Sequence, residues 1–165
     1  STWISFSDIM TGLMVIFMFI AIAYILEAKK EQAEREKLFE QFKKTKESLY
    51  FELDSAFSND FSRWKVELDK DLSIKFTNPE ILFESGSVVI RPYFKNVLDT
   101  FLPNYFDIVL QEKYRDKIAE IRIEGHTDTV PAPTFDNDPY IGNIKLSQLR
   151  STRVLKYCRQ MKYYH

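Results

Sequence analysis

Hydrophobic residues follow three successive patterns along this chain. The first is Ile9 to Leu26, a run of 18 residues without a charged side chain. At about 1.5 Å per residue a helix of that length covers roughly 27 Å, close to the roughly 30 Å of a bilayer's hydrocarbon core. The pattern predicts a transmembrane helix, which we assign to residues 1–27. The run is too long for a usual signal peptide, and no Lys or Arg precedes it.

The second pattern, over residues 28–70, is that of a polar helix. Opposite charges stand four residues apart, as in Glu31 with Arg35 and Glu40 with Lys44, and such pairs support a helix. This helical linker also carries an apolar face with spacings of four and seven. The face consists of Leu38, Phe42, Leu49, Leu53 and Phe57. It predicts either packing against the protein's own domain or self-association of a stalk, and the spacing leaves both open.

The third pattern, over residues 71–165, begins with strand-like alternation. Apolar and polar residues alternate from Leu72 to Phe76 and again from Ala119 to Ile123. A period of two is typical of half-buried strands. Residues 85–87, Ser-Gly-Ser, predict a turn between the apolar stretches 81–83 and 88–90.

Helical periodicity occurs twice in the same region. Pro92 predicts the first turn of one helix, and Asn143 predicts the N-cap of another. Their predicted buried faces are Phe94, Val97, Leu98 and Phe101 in the first helix, and Leu146, Leu149, Val154 and Tyr157 in the second. Strand, helix, strand and helix in this order predict an α+β fold, a small α/β sandwich with helices on one face of a short sheet.

Composition narrows the classes of function. The net charge is only -1, so the overall balance does not indicate nucleic acid as a partner. The single cysteine, Cys158, excludes an internal disulfide and leaves too few ligands for a zinc cluster. We expect a buried structural thiol, with pairing between chains as the alternative. Because no nucleophile or second carboxylate accompanies His126 at a useful spacing, we expect no enzymatic activity.

Asp8 directly precedes the uncharged run. An ionised carboxylate inside a bilayer costs about 2.5 kcal/mol or more, so Asp8 indicates a function in ion or proton movement. The structural alternative is a cap, either before Ile9 or in a capping box opened by Ser5. One aspartate on one helix cannot form a channel. The functional interpretation therefore predicts a separate multi-helix partner.

Three segments of the last region resemble the OmpA-like peptidoglycan-binding domain. Residues 121–131 read I-R-I-E-G-H-T-D-T-V-P, and residues 142–150 read G-N-I-K-L-S-Q-L-R, similar to that family's G-H-T-D and N-x-x-L-S-x-x-R. Residues 81–92, I-L-F-E-S-G-S-V-V-I-R-P, are similar to its first strand and turn. The resemblance implies a site for a diaminopimelate peptide. It comprises Asp128 for the ammonium, Arg150 for the carboxylate, and Asn143.

The match departs from the family at several positions. The loop from Thr129 to Gly142 is longer than in the shortest members, and Ser151 replaces the usual alanine. The sequence also stops near His165, where the fold leads us to expect a further strand. At the other end the sequence opens on Ser1 without an initiator Met, so we expect native residues before it.

The apolar segment resembles a second family. Residues 7–17, S-D-I-M-T-G-L-M-V-I-F, are similar to the membrane helix of MotB-type stator subunits. The resemblance implies that Asp8 binds a translocated proton or sodium ion and that no other cofactor or metal is needed. It also implies a homodimer inside a ring of five MotA- or ZorA-like partner subunits. The long Phe-bearing helix after the span favours the ZorB family of Zorya anti-phage systems over flagellar stators.

These resemblances together imply a single-pass protein of the bacterial inner membrane. Its N-terminus would be cytoplasmic and its C-terminal domain periplasmic, because peptidoglycan is found only outside that membrane. Lys29 and Lys30 alone predict the opposite orientation under the positive-inside tendency. Two alternatives stay open: a flagellar motor stator, and a passive wall anchor of the OmpA or Pal kind without ion conduction.

Overall fold

The computed structural model describes residues 2–126 and 135–161. The elements are α1 (Thr2–Trp64), β1 (Val66–Leu68), β2 (Ile74–Phe76), α2 (Pro79–Leu82), α3 (Pro92–Val109), α4 (Glu112–Arg115) and α5 (Pro139–Gln160). The described part is mostly helical, with a long N-terminal helix and a small two-stranded sheet. The chain divides into two compact units, Ser1–Thr45 and Lys46–His165.

The unit Ser1–Thr45 is described as helix throughout from Thr2. Side chains from Phe6 to Leu26 are exposed on the isolated chain. One helix is long and apolar enough to cross a membrane, with a mean hydropathy of 2.6 in its most apolar window. The predicted charge pairs are present: Arg35 Nη2 lies 2.6 Å from Glu31 Oε1, and Lys44 Nζ lies 4.0 Å from Glu40 Oε2.

In the unit Lys46–His165, the last part of α1 lies in the hydrophobic core. Leu49, Leu53 and Phe57 are buried, as packing against the protein's own domain requires. Leu38 and Phe42, which continue the same face within the other unit, are 65% and 64% exposed. Packing against the protein's own domain is therefore confirmed for Leu49, Leu53 and Phe57. Self-association through Leu38 and Phe42 stays a prediction. The predicted domain boundaries at 1–27, 28–70 and 71–165 stay predictions.

A short hairpin follows the end of α1. Lys65 has a φ of 57°, a left-handed conformation that stops the helix and starts β1. β1 and β2 are antiparallel, with Val66 opposite Phe76. The predicted strand over 72–76 is thus confirmed at Ile74–Phe76, whereas Leu72 lies in the connecting turn with a φ of 75°.

Helix α3 supplies the centre of the core. It begins at Pro92 as predicted, and all four residues of its predicted face are buried. The Phe94 ring lies edge-on to that of Phe76, 5.1 Å between centroids. The Phe101 ring packs 5.0 Å from that of Phe57 on α1. Aromatic contacts of this kind are favourable beyond the area that they bury. They tie α1, the hairpin and α3 into one core.

The predicted strand from Ala119 to Ile123 is wrong. Within 2–126 and 135–161 this segment forms no strand, and the two-stranded sheet consists of β1 and β2. Ile121 and Ile123 are 44% and 37% exposed. Alternation predicts a strand only where a neighbouring strand accepts the backbone hydrogen bonds. The α/β sandwich is accordingly not confirmed, and the observed fold is mostly helical.

Residues of α5 follow the predicted face only in part. Leu146 is buried and Val154 and Tyr157 are half-buried, but Leu149 is 45% exposed, so its assignment to the core is wrong. Cys158 is a free, buried thiol, as expected. Burial raises the pKa of this thiol. A protonated, enclosed sulfur is poorly placed for pairing between chains.

Candidate functional site

Helix α5 carries two of the three predicted peptidoglycan-site residues. It begins at Pro139, and its N-cap is Asp138, whose carboxylate accepts hydrogen bonds from the backbone N–H groups of Tyr140 at 2.8 Å and Ile141 at 3.4 Å. The prediction that Asn143 caps the helix is therefore wrong. The missed signal is the dipeptide Asp138-Pro139, because Asp favours the N-cap and Pro the first helical position.

Inside α5, Asn143 and Arg150 are seven residues apart, nearly two full turns, so they share one side of the helix. Both residues are half-buried. Asp128, the predicted partner of the ammonium group, lies outside the described residues. The described structure thus brings two of the three predicted residues to the same helix side.

The Arg150 guanidinium contacts the turn that follows Phe83. Its Nε donates to the backbone carbonyl of Ser87 at 2.9 Å, and its Nη2 donates to that of Glu84 at 3.3 Å. The guanidinium carbon lies 5.0 Å from the centroid of the Phe83 ring. Sequence reasoning identified Arg150 but did not predict these contacts, because their partners are 63 and 66 residues away.

The turn itself has the predicted position. Glu84 and Ser87 close it through a backbone hydrogen bond of 3.0 Å, and Gly86 has a φ of 60°. Phe83 and Ile90 form an isolated antiparallel bridge at its base. The segment that resembles the first strand and turn of the OmpA-like family is thereby placed directly against the arginine of the N-x-x-L-S-x-x-R motif.

Gly125 of the G-H-T-D motif also contacts α5. A Cβ added at Gly125 would lie 2.2 Å from the carbonyl oxygen of Ser147, so only glycine fits this approach. Ser147 is buried, and its hydroxyl donates to the carbonyl of Ile144 at 2.9 Å. Two motifs separated in sequence are therefore in backbone contact.

Asp8 lies well inside α1 and not at its start. The helix begins at Thr2, so Asp8 is not its N-cap and Ser5 does not open a capping box at its start, and both forms of the structural alternative are wrong. The Asp8 side chain is exposed on the isolated chain. One turn further on, the Thr11 hydroxyl donates to the backbone carbonyl of Ser7 at 2.9 Å. A carboxylate at this position requires a polar partner once the helix is in lipid.

Arg150 and Asp8 are the charged side chains among the predicted site residues that the structure describes. In the described part of the chain, no cluster of three or more His, Cys, Asp or Glu side chains is arranged to hold a metal ion. Arg150 supplies a planar cation at a turn, a geometry that suits a carboxylate. Asp8 supplies the only carboxylate of the sequence from Ser1 to Leu26.

Comparison with known proteins identifies one relative across nearly the whole chain. The Zorya protein ZorB of Escherichia coli is 38% identical over 162 residues, which cover 97% of this chain and 68% of the relative. The aligned region therefore includes Asp8 and the segment from Gly125 to Arg150. No protein-family model matches the chain, and no solved structure matches it. At this identity and coverage, the chain belongs to the ZorB family.

Proposed function

We propose that this chain is the ion-conducting, wall-anchored stator subunit of a Zorya anti-phage defence system. The observation that carries the proposal is Asp8, the only charged residue of the sequence from Ser1 to Leu26, in a helix that is long and apolar enough to cross a membrane. Membership of the ZorB family favours the defence role over a flagellar one. The chain would span the inner membrane once, with its N-terminus cytoplasmic and residues 71–165 periplasmic.

In this proposal Asp8 alternates between two charge states. A protonated Asp8 is neutral and tolerable beside lipid, whereas an ionised one must face a polar surface of a partner subunit. Two copies of this chain inside a ring of five ZorA-like subunits would provide such surfaces. Proton passage through Asp8 would then move the ring against an anchored axle.

Peptidoglycan would be bound at the turn between Phe83 and Ile90, beside α5. Arg150 would hold the carboxylate of a diaminopimelate side chain through parallel hydrogen bonds, and Asp128 would pair with its ammonium group. Asn143, on the same side of α5 as Arg150, would line the site. We also propose an OmpA-like sandwich around this site. The contact of the Arg150 guanidinium with the Glu84–Ser87 turn supports the proposed location of the binding site.

The conducting role is tested by replacing Asp8 with Asn in cells that carry the complete defence system. We expect Asp8→Asn to abolish protection against phage, since an amide cannot release a proton, while membrane insertion and wall binding persist. Glu27→Gln, an acid at the end of the span, is the matched control and should leave protection intact. Full protection by Asp8→Asn would overturn conduction and leave a passive wall anchor.

The wall-binding role is tested by sedimentation of the full chain in detergent with purified peptidoglycan sacculi. We expect Asp128→Ala and Arg150→Ala each to reduce the bound fraction, because each removes one half of the charge pairing. Arg153→Ala, an exposed arginine on the same helix, serves as the control. Equal sedimentation of all four proteins, including the unsubstituted chain, would contradict the assigned site.

The translocated ion is proposed to be a proton, with sodium as the alternative. Ion dependence of the assembled complex separates the two, because a proton-driven complex works without sodium and stops when an uncoupler collapses the proton gradient. Loss of activity on sodium removal, with the proton gradient intact, would assign sodium.

A further inference from the structure

We propose that Phe83 is a positioning residue for the peptidoglycan site, because its ring face orients the guanidinium of Arg150. This inference rests on the proposed wall-binding function and extends it to a residue that does not itself contact the ligand. An ordinary core phenylalanine would affect only the stability of the fold. The proposed role predicts that Phe83 also affects peptidoglycan binding, and that it does so through Arg150 alone.

The described contacts of the Arg150 guanidinium include two hydrogen bonds and one aromatic ring. The hydrogen bonds to the carbonyls of Ser87 and Glu84 direct two of its nitrogens toward the turn. The Phe83 ring, 5.0 Å from the guanidinium carbon, supports the face of the group. A guanidinium over an aromatic face is attracted by the ring quadrupole, and the contact also restricts rotation of the group.

Phe83 is itself held in place by the core. It is only 7% exposed, and its ring lies edge-on to Phe94 with 5.8 Å between centroids. Its backbone is fixed by the bridge to Ile90, and its carbonyl accepts a hydrogen bond of 3.0 Å from Nε of Arg91. The ring therefore cannot turn without disturbing the packing against α3. The core therefore fixes the orientation of the Phe83 ring, and that ring in turn orients the Arg150 guanidinium.

Orientation matters here because recognition of a carboxylate by arginine is planar. Two parallel N–H···O bonds form only when the guanidinium and the carboxylate are nearly coplanar. A guanidinium free to rotate would lose one of these bonds or would have to be ordered on binding. A binding group held by its surroundings avoids that cost.

The test compares Phe83→Leu with Phe94→Leu in the full chain in detergent, with diaminopimelate-type peptidoglycan as the probe. Both changes remove a ring from the same core, and the ring over which the Arg150 guanidinium lies is that of Phe83. At a temperature where thermal unfolding shows both variants folded, we expect Phe83→Leu to weaken binding about fivefold. Phe94→Leu should stay within about twofold of the unsubstituted chain. If Phe83→Leu does not fold, Phe83→Met replaces it, since a flexible thioether fills irregular space.

A double-mutant cycle with Arg150→Ala isolates the mechanism. In the Arg150→Ala background, Phe83→Leu should cause no further loss of binding, because the group that it orients is gone. Equal losses for Phe83→Leu and Phe94→Leu, or additive losses in the cycle, would overturn the inference. If the unsubstituted chain does not bind peptidoglycan at all, the proposed function fails. If Arg150→Ala weakens binding and Phe83→Leu does not, only this inference fails.

Discussion

Two glycines allow the backbone conformations and contacts near α5. Gly125 permits backbone contact between the G-H-T-D segment and Ser147 of α5. Gly86 gives the turn beside Arg150 its left-handed residue, with a φ of 60°. At Gly125 the constraint is space, whereas at Gly86 nothing lies within 4 Å of an added Cβ and the constraint is conformation. The two positions therefore respond differently to substitution.

For Gly125→Ala we expect a loss of about 1–3 kcal/mol of unfolding free energy, since backbone must move to admit a methyl group. The measurement is thermal unfolding in detergent. Gly12→Ala is the control, because nothing lies within 4 Å of a Cβ added there and Ala suits a helix interior. An unchanged midpoint for Gly125→Ala would contradict the observed contact with Ser147.

For Gly86→Ala we expect a smaller loss of about 1 kcal/mol, because a β-carbon disfavours the left-handed conformation. Gly86→Asn should cost less, since asparagine adopts this conformation more readily than other residues with a side chain. Chemical denaturation of the three proteins checks the order. Equal stability of the Ala and Asn variants would indicate that the turn adopts another conformation.

Among the elements, α1 has an apolar face whose two halves lie in different surroundings. Phe57 is 2% exposed in the core of the unit Lys46–His165, whereas Phe42 in the other unit is 64% exposed. The last part of α1 is thus a core helix. Its stabilising contribution comes from packing, because helix propensity alone supplies little.

Truncation of the two phenylalanines separates the roles of these halves. We expect Phe57→Ala to lower the unfolding free energy by about 3–5 kcal/mol, as for other buried rings replaced by alanine. Phe42→Ala should change it by no more than about 0.5 kcal/mol. Denaturant unfolding of detergent-solubilised protein, followed by tryptophan fluorescence, measures both. A small effect of Phe57→Ala would contradict its place in the core.

At the scale of the molecule, a polar network joins α1 to α4 within the unit Lys46–His165. The buried Tyr114 hydroxyl lies 2.7 Å from that of Ser48 and donates to the Glu52 carboxylate at 2.8 Å. Lys113 forms an ion pair with the same carboxylate. The hydrogen bond from Lys113, aided by that from Tyr114, holds the pKa of Glu52 below its ordinary range.

This lowered pKa predicts the acid response of the unit. A carboxyl whose pKa is lower in the folded than in the unfolded state stabilises the fold at any pH above its unfolded-state pKa, which is about 4.3 for Glu. This stabilisation is lost as the pH falls through the folded-state pKa. We expect Glu52→Gln to lower the thermal midpoint at neutral pH and to flatten its decline below about pH 4. Glu67→Gln, an exposed acid on β1, is the control. An identical pH profile for Glu52→Gln and the unsubstituted chain would contradict the network.

Several features of this chain could be predicted from the sequence because their signals are local. The uncharged run after Asp8, the Ser-Gly-Ser turn and the buried face after Pro92 each depend on neighbours a few residues away. Such spacing reports which side of an element is apolar. The resemblance to ZorB was confirmed by the similarity across the chain. The role of Arg150, which the OmpA-like motif located, stays a prediction.

The amino-acid sequence by itself determined the apolar span and the core face of α3, and its motifs are the basis on which the candidate site residues are predicted. Only the tertiary structure decided that Leu49, Leu53 and Phe57 enter the core and that residues 119–123 pair with no described strand. It also decided that Arg150 faces Phe83 and the Glu84–Ser87 turn. The physical reason is that periodicity specifies an apolar or polar face, whereas the partner of that face is supplied by residues far away in the chain.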